Sequence, residues 1–208
     1  MNKNISNEIV STLREIIKNP ICELDFKNTF ELLCAVMLSA QTTDKRVNIV
    51  TKDLFFKYPD PLSLMNACYE DVYEIIKPVG LAKNKANNLI NLAYEIHTNY
   101  NDLVPNSLDE LIKLPGVGRK TASVVLAVGF KIPAMPVDTH LHRMAIRLGY
   151  VKKNATVLEA EEAYKKYIDK SDWIEAHHLF LLFGRYYCKS INPMCDSCRL
   201  KNKCKYVK

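Results

Sequence analysis

No stretch of this chain alternates apolar and polar residues for long enough to form a strand on one face of a sheet. The apolar positions fall instead into runs with helix-opening and helix-closing residues at their ends, and the sequence reads throughout as helices joined by short turns. Asn28 with Glu31 opens the run Phe30–Leu38, Ser107 with Glu110 opens a second helix and Thr156 with Glu159 a third. Each pair has capping-box spacing: the short polar side chain accepts from an orphan N–H and the carboxylate reaches back. Gly149, after Met144–Leu148, suits a left-handed C-terminal cap. Helices are predicted at roughly 6–18, 28–40, 44–57, 61–67, 69–76, 83–98, 107–113, 119–128, 139–148 and 156–188, the last splitting near Lys170. Only six glycines in 208 residues also argue against a turn-rich β protein. The expected class is all-α.

Composition narrows the picture. Apolar residues are 48% and charged residues 25%, close to globular averages of about 45–50% and about 25%, so a disordered chain is excluded. No apolar run approaches the ~18 residues that a membrane span needs. The start, Met1–Ser6, has no apolar block of a secretory leader. No membrane association is expected, and the expected location is cytoplasmic. The net charge of +6 is concentrated: residues 188–208 hold six cations (Lys189, Arg199, Lys201, Lys203, Lys205 and Lys208) against Asp196, a net +5. A solvated basic tail is the ordinary reading of such a run, but four cysteines are woven through it, which favours a surface facing phosphate.

Residues 74–89 (EIIKPVGLAKNKANNL) and 110–125 (ELIKLPGVGRKTASVV) resemble each other at an offset of 36, sharing Glu74/Glu110, Ile76/Ile112, Lys77/Lys113, Gly80/Gly116 and Ala86/Ala122. Both read as helix, glycine turn, helix, and their tips are candidates to face one ligand. In the second, Leu114–Ala122, Gly116 and Gly118 allow the turn and leave room for another molecule. The helix that follows presents free N–H groups and its positive end, which suit a phosphate of a nucleic-acid backbone and read no base. Arg119 and Lys120 then place positive charge where the dipole opposes it. Arg119 is explained by a nearby phosphate. Lys120 reads either as a second phosphate contact or as a nucleophile, whose neutral form the helix end, Arg119 and partial burial are expected to favour.

A nucleophilic amine needs an acid to manage its proton. Asp138, in Val137-Asp138-Thr139-His140, is expected to cap the next helix; its sharper role would be to take that proton or to stabilise an oxocarbenium charge. Asp44, in Ser39-Ala40-Gln41-Thr42-Thr43-Asp44, is also expected to be an N-cap. Gln41 in that loop could hydrogen-bond an unpaired base, and Leu81 at the first turn tip could wedge between bases. The pairs His140/His142 and His177/His178 lack metal-site spacing and read as structural. Of seven cysteines, Cys22, Cys34 and Cys68 read as structural. Cys188, Cys195, Cys198 and Cys204 form C-x6-C-x2-C-x5-C, which in an intracellular chain argues for metal. Spacing leaves tetrahedral zinc and a four-iron cluster both open.

The motifs LSAQTTD (38–44), VGLAKNKA (79–86), LPGVGRKTA (114–122), VDTH (137–140) and the cysteine pattern (188–204), in this order along nearly the whole chain, resemble the endonuclease III family, the helix–hairpin–helix DNA glycosylase/AP lyases. The resemblance implies two lobes: a helical barrel at 21–132, of six helices and with the hairpin at about 107–128, and a cluster domain from 1–20 plus 133–208. It implies Lys120 as Schiff-base lysine, Asp138 as catalytic aspartate, and a [4Fe-4S] cluster on Cys188, Cys195, Cys198 and Cys204 in place of zinc. It implies Gln41 and Leu81 as residues that fill or wedge the duplex; Gly116, Gly118, Arg119 and Lys189 are expected as further DNA contacts. The expected substrates are oxidised pyrimidines in duplex DNA, and the expected protein is a monomer held on the nucleoid. Two alternatives are a non-catalytic helix–hairpin–helix DNA-binding protein and the mismatch adenine glycosylase, which lacks the hairpin lysine. One departure is Phe183, where relatives commonly have His before Gly-Arg.

Overall fold

The computed structural model describes residues 1–206, and the described residues form helices and turns only. The order is α1 (Lys3–Ile16), α2 (Thr29–Leu38), α3 (Asp44–Lys57), α4 (Pro61–Met65), α5 (Tyr69–Ile76), α6 (Ala82–Tyr100), α7 (Leu108–Leu111), α8 (Arg119–Gly129), α9 (Thr139–Arg147), α10 (Val157–Tyr167) and α11 (Trp173–Tyr186). The predicted segment 156–188 breaks between α10 and α11, where Ile168 turns extended and Trp173 Nε1 donates to its carbonyl at 3.0 Å. No helix among the described residues is long and apolar enough to cross a membrane.

The chain divides into two compact units, one of Glu23–Ile132 and one of Met1–Cys22 with Pro133 onward. The first is built around α2, buried from Phe30 to Leu38. A helix apolar on all sides must be covered on all sides. The buried run Ala122–Val128 of α8 packs on it, and Gly129 comes so near that a Cβ there would lie 3.0 Å from Leu32 Cδ2. α4 and α5 pack against α6, and α3 against α5.

The second unit joins both ends of the chain. Ile9 and Leu13 of α1 are fully buried in a core with Leu141, Met144, Tyr164 and Phe180, each aliphatic side chain contributing about 1.5–3 kcal/mol by leaving water. The Tyr164 ring lies 4.7 Å from Tyr150 and 4.8 Å from Phe180, and its hydroxyl donates to Leu141 O at 2.9 Å. The Ser6 and Tyr150 hydroxyls pair at 2.7 Å.

Helix ends follow the sequence reading with three corrections. Thr156 and Glu159 close a full capping box. Asn28 accepts from Glu31 N as expected, but Glu31 reaches past it to Lys27 N at 2.6 Å. Ser107 accepts from Glu110 N, whereas the Glu110 carboxylate is drawn to Lys113 and Tyr100, both at 2.6 Å. Thr43, not Asp44, is the N-cap of α3; Asp44 is its first residue, where its charge complements the dipole. Asp60 and Ser63 form a capping box that sequence reading passed over. Gly149 is left-handed (φ 78°), and Tyr150 N donates to Ala145 O at 2.8 Å, closing α9 as expected.

Candidate functional site

In the Glu23–Ile132 unit the hairpin joins α7 to α8. Gly116 is left-handed (φ 74°), and a Cβ there would stand 2.7 Å from Met37 Sδ and 2.9 Å from Asn88 Nδ2. This glycine is required by the protein's own packing. Gly118 is different: its backbone is extended (φ −89°, ψ 171°), and a Cβ there would meet nothing within 4 Å. As N-cap of α8 it offers no side chain to the orphan N–H groups. The space over them is open to an approaching anion. Lys120 and Arg119 occupy the first turn of α8 and both are exposed. The partial burial expected for Lys120 is therefore not present, because the buried stretch of α8 starts only at Ala122.

The first glycine turn joins α5 to α6 in the same unit. Here the left-handed residue is Leu81 (φ 61°), 56% exposed, following Gly80. Gln41, also exposed and left-handed (φ 57°), lies in the α2–α3 loop. The two turns are in contact: Gly80 N donates to Thr42 Oγ1 at 3.1 Å, and a Cβ on Gly80 would be 3.1 Å from Gln41 O. Gln41, Leu81 and Gly116, far apart in sequence, thus belong to turns borne by one unit. Sequence reading missed Lys85, which is buried beside them. Its signal was a charge on the apolar stripe of α6, with Ala82, Ala86 and Leu89.

In the other unit Asp138 caps α9. Its Oδ1 accepts from His140 N at 2.8 Å and Leu141 N at 2.9 Å, so the cap uses one carboxylate oxygen. Pro136, two residues earlier, accepts from His177 Nδ1 at 2.9 Å; His142 Nε2 meets Ala155 O at 2.8 Å and His178 Nδ1 meets Ile174 O at 2.8 Å. These imidazoles serve the backbone.

Cys188, Cys195, Cys198 and Cys204 line one cavity of about 170 Å³. All four are half-buried free thiols, and burial pushes the Cys198 thiol up, with the other three sulfurs adding to it. Among the described residues no three His, Cys, Asp or Glu side chains are arranged to hold a single metal ion. Arg147, missed in the sequence, ties the segment down. Its Nη1 donates to Lys189 O at 2.8 Å and Cys188 Sγ at 3.2 Å, while its carbonyl accepts from Lys205 N at 2.7 Å and Cys204 Sγ at 3.4 Å. Phe183 is buried, stacked on Tyr187 at 5.3 Å, and faces the same cavity. The basic run is only partly available to a ligand. Arg199 is paired with Glu15, and Lys203 with Glu8 at 2.7 Å, whereas Lys189 and Lys201 are exposed; Lys208 lies outside the described residues. Of the remaining cysteines Cys34 is core, its thiol pushed up by burial, and Cys68 is exposed, its Sγ 2.8 Å from Glu70 Oε2.

Residues 34–170 match the family described as HhH-GPD superfamily base excision DNA repair protein. Endonuclease III of Bacillus subtilis is 47% identical over 184 residues, 88% of this chain and 84% of that protein. Endonuclease III of Rickettsia conorii is 44% identical over 99% of this chain and 98% of its own. Among solved structures, a trapped endonuclease III–DNA covalent intermediate, the estranged-adenine complex, superposes with a TM-score of 0.96 at 43% identity, covering all of this chain and 97% of that one.

Proposed function

We propose a mechanism that proceeds from one premise: this chain belongs to the HhH-GPD superfamily of base excision DNA repair proteins, and within it to the endonuclease III family. It is a DNA glycosylase/AP lyase with an all-α HhH-GPD fold. Its substrate is duplex DNA carrying an oxidised pyrimidine. It works as a monomer in the cytoplasm, on the nucleoid.

The sugar carbon of a stacked nucleotide is out of reach, so the damaged nucleotide is first turned out of the helix. The open N-terminus of α8 at Gly118 takes a backbone phosphate, with Arg119 beside it. Lys189 adds a phosphate contact from the cysteine segment. Gln41 fills the gap and Leu81 wedges the stack. Lys120 Nζ attacks C1′ through its lone pair; the base leaves with the electron pair of the glycosidic bond and takes a proton from water. While ionised, Asp138 faces the positive charge developing on the sugar with the carboxylate oxygen its cap leaves over, and that oxygen then takes the proton that the new C–N bond releases. Once the sugar ring opens, the lysine and C1′ share an imine, which acidifies C2′. With the imine protonated as electron sink, water takes a C2′ proton and the 3′ phosphate leaves with its C–O electron pair; hydrolysis of the imine then frees the amine. Lys120 is exposed in the free protein, and bound DNA itself excludes water from it.

The donor set fits an iron–sulfur cluster: four thiols round one cavity, in a segment tied to α9 through Arg147. Cys188, Cys195, Cys198 and Cys204 would hold a [4Fe-4S] cluster, which would cross-link a segment with little core of its own. No step above runs through it.

The observation that carries this reading is an exposed amine, Lys120, at the open end of a glycine hairpin, in a chain similar throughout to a protein captured in a covalent complex with DNA. Borohydride reduction on abasic duplex tests it. Covalent trapping is expected, and Lys120→Gln abolishes it while duplex binding persists. Trapping that survives the substitution assigns the chemistry to another amine; a native chain that binds but never traps is a DNA-binding module.

A further inference from the structure

The least expected polar group in the Glu23–Ile132 unit is the ammonium of Lys85. The residue is 5% exposed, and Nζ donates to Leu38 O at 2.8 Å and to Ala40 O at 2.6 Å. Leu38 is the last residue of α2, and its carbonyl is one of those a helix leaves without an intrahelical donor. A cation there is favoured by the helix dipole. Burying a charge against neutral carbonyls is nevertheless an expensive way to end a helix, and an apolar side chain would fill the same volume more cheaply. What the ammonium supplies is direction: its bonds fix the chain on both sides of Ser39, just before left-handed Gln41.

The same helix addresses two other turns. Leu81, left-handed, is the N-cap of α6 itself. One turn beyond Lys85, Asn88 lies against Gly116 of the hairpin. Thr42 Oγ1, receiving Gly80 N, closes the link between the Gln41 loop and the Leu81 turn. α6 therefore touches all three tips through residues at consecutive turns, and Lys85 is the only one of the three that reaches the Gln41 loop with charge.

We infer that Lys85 is a positioning residue: from within the unit it holds the Gln41 loop in register with the Leu81 turn, and so sets how tightly the protein closes on a duplex with a nucleotide displaced. The inference rests on the reading of Gln41 and Leu81 as duplex contacts.

The test is a double-mutant cycle on the full chain, with affinities read by fluorescence anisotropy on a duplex carrying a tetrahydrofuran abasic analogue and on its undamaged counterpart. Lys85→Met, Gln41→Ala and Leu81→Ala are each expected to weaken lesion-duplex binding about ten-fold, with less than about a two-fold change on undamaged DNA. Lys85→Met combined with Gln41→Ala is expected to be no weaker than the stronger single change, since both act on one loop. Trapping of the Lys85→Met protein on abasic duplex at saturating protein keeps its rate within about two-fold, which separates closing on DNA from chemistry. Thr42→Val cuts the second link without burying or exposing a charge; it is expected to show the same non-additivity with Gln41→Ala, and it carries the test if Lys85→Met does not fold. Additive losses, or equal losses on both duplexes, overturn the positioning role while leaving the reading of Gln41 and Leu81 intact. If Gln41→Ala and Leu81→Ala both bind the lesion duplex normally, that reading fails and the inference with it.

Discussion

A Cβ on Gly116 would stand 2.9 Å from Nδ2 of Asn88, so the hairpin turn meets α6 where only a hydrogen fits. Gly118, two residues on, has open space at the same distance. The two glycines of one hairpin therefore answer to different constraints.

Gly116→Ala forces a side chain into a left-handed, crowded position. It is expected to destabilise by about 1–3 kcal/mol from the backbone alone, which lowers Tm by about 2–4 °C per kcal/mol in a chain of this size. Gly118→Ala is expected to leave stability within about 1 kcal/mol of native, the weaker cap offsetting the gain in chain entropy. It should nevertheless weaken duplex binding, because the added methyl would stand where the proposed mechanism places a phosphate. Thermal melts with anisotropy on both variants check the contrast; a Gly118→Ala protein that binds normally argues that the open space is unused.

Asp138 holds the cap of α9, and the proposed mechanism gives it a second task; two substitutions divide the two. Asn caps about as well as Asp, so Asp138→Asn should match the native chain in urea unfolding yet slow single-turnover base removal by about 10²–10⁴-fold. Asp138→Ala should lose both, with about 1 kcal/mol of stability gone. Equal destabilisation by the two would place the carboxylate's charge, not the cap bonds, at the start of α9.

Cys188→Ser removes one sulfur from the cavity wall. The expected result is loss of the broad visible absorption of an iron–sulfur protein and rapid proteolytic cutting within 188–204, the rest of the chain surviving longer. A colourless native protein that contains zinc by metal analysis would refute the iron assignment.

The pair of Ser6 and Tyr150 hydroxyls joins α1 to the turn after α9 inside the core. Tyr150→Phe leaves the buried Ser6 hydroxyl without that partner, a cost of about 1–3 kcal/mol. Tyr150→Phe together with Ser6→Ala should recover part of it. Urea unfolding of the three variants measures this, and a double variant worse than the single one would contradict it.

Helices, and the residues that open and close them, could be read from the sequence because those signals are local: Thr156 with Glu159, Gly149 and the all-round apolar α2 are each set within a few positions. The same locality explains the errors. Glu31 and Glu110 have box spacing, but a flanking N–H in one case and Tyr100 with Lys113 in the other compete for the carboxylate. The candidate site was legible as residue types at spacing: a lysine in the first turn after a glycine bend, an acid at an N-cap, four clustered thiols. What periodicity could not supply was contact across the chain. Nothing near Arg199 in sequence announces Glu15, and nothing near Lys85 says that the end of α2 lies over it. Lys120 was expected to be half-covered because its chemistry would gain from it; exposure is decided by packing, and α8 packs only from Ala122.

The division of the chain, with Glu23–Ile132 as a self-contained piece between the two parts of the other unit, sets an order for biosynthesis. At about 5–20 residues per second, α1 leaves the ribosome many seconds ahead of Leu141 and Phe180, which must cover Ile9 and Leu13. Through that interval the nascent protein carries a completed middle and an amphipathic helix whose apolar face, Ile9, Val10 and Leu13, still lacks the residues that bury it. Cys188, Cys195, Cys198 and Cys204 follow Glu23–Ile132 in the chain, so these four thiols meet only after the middle unit has been made.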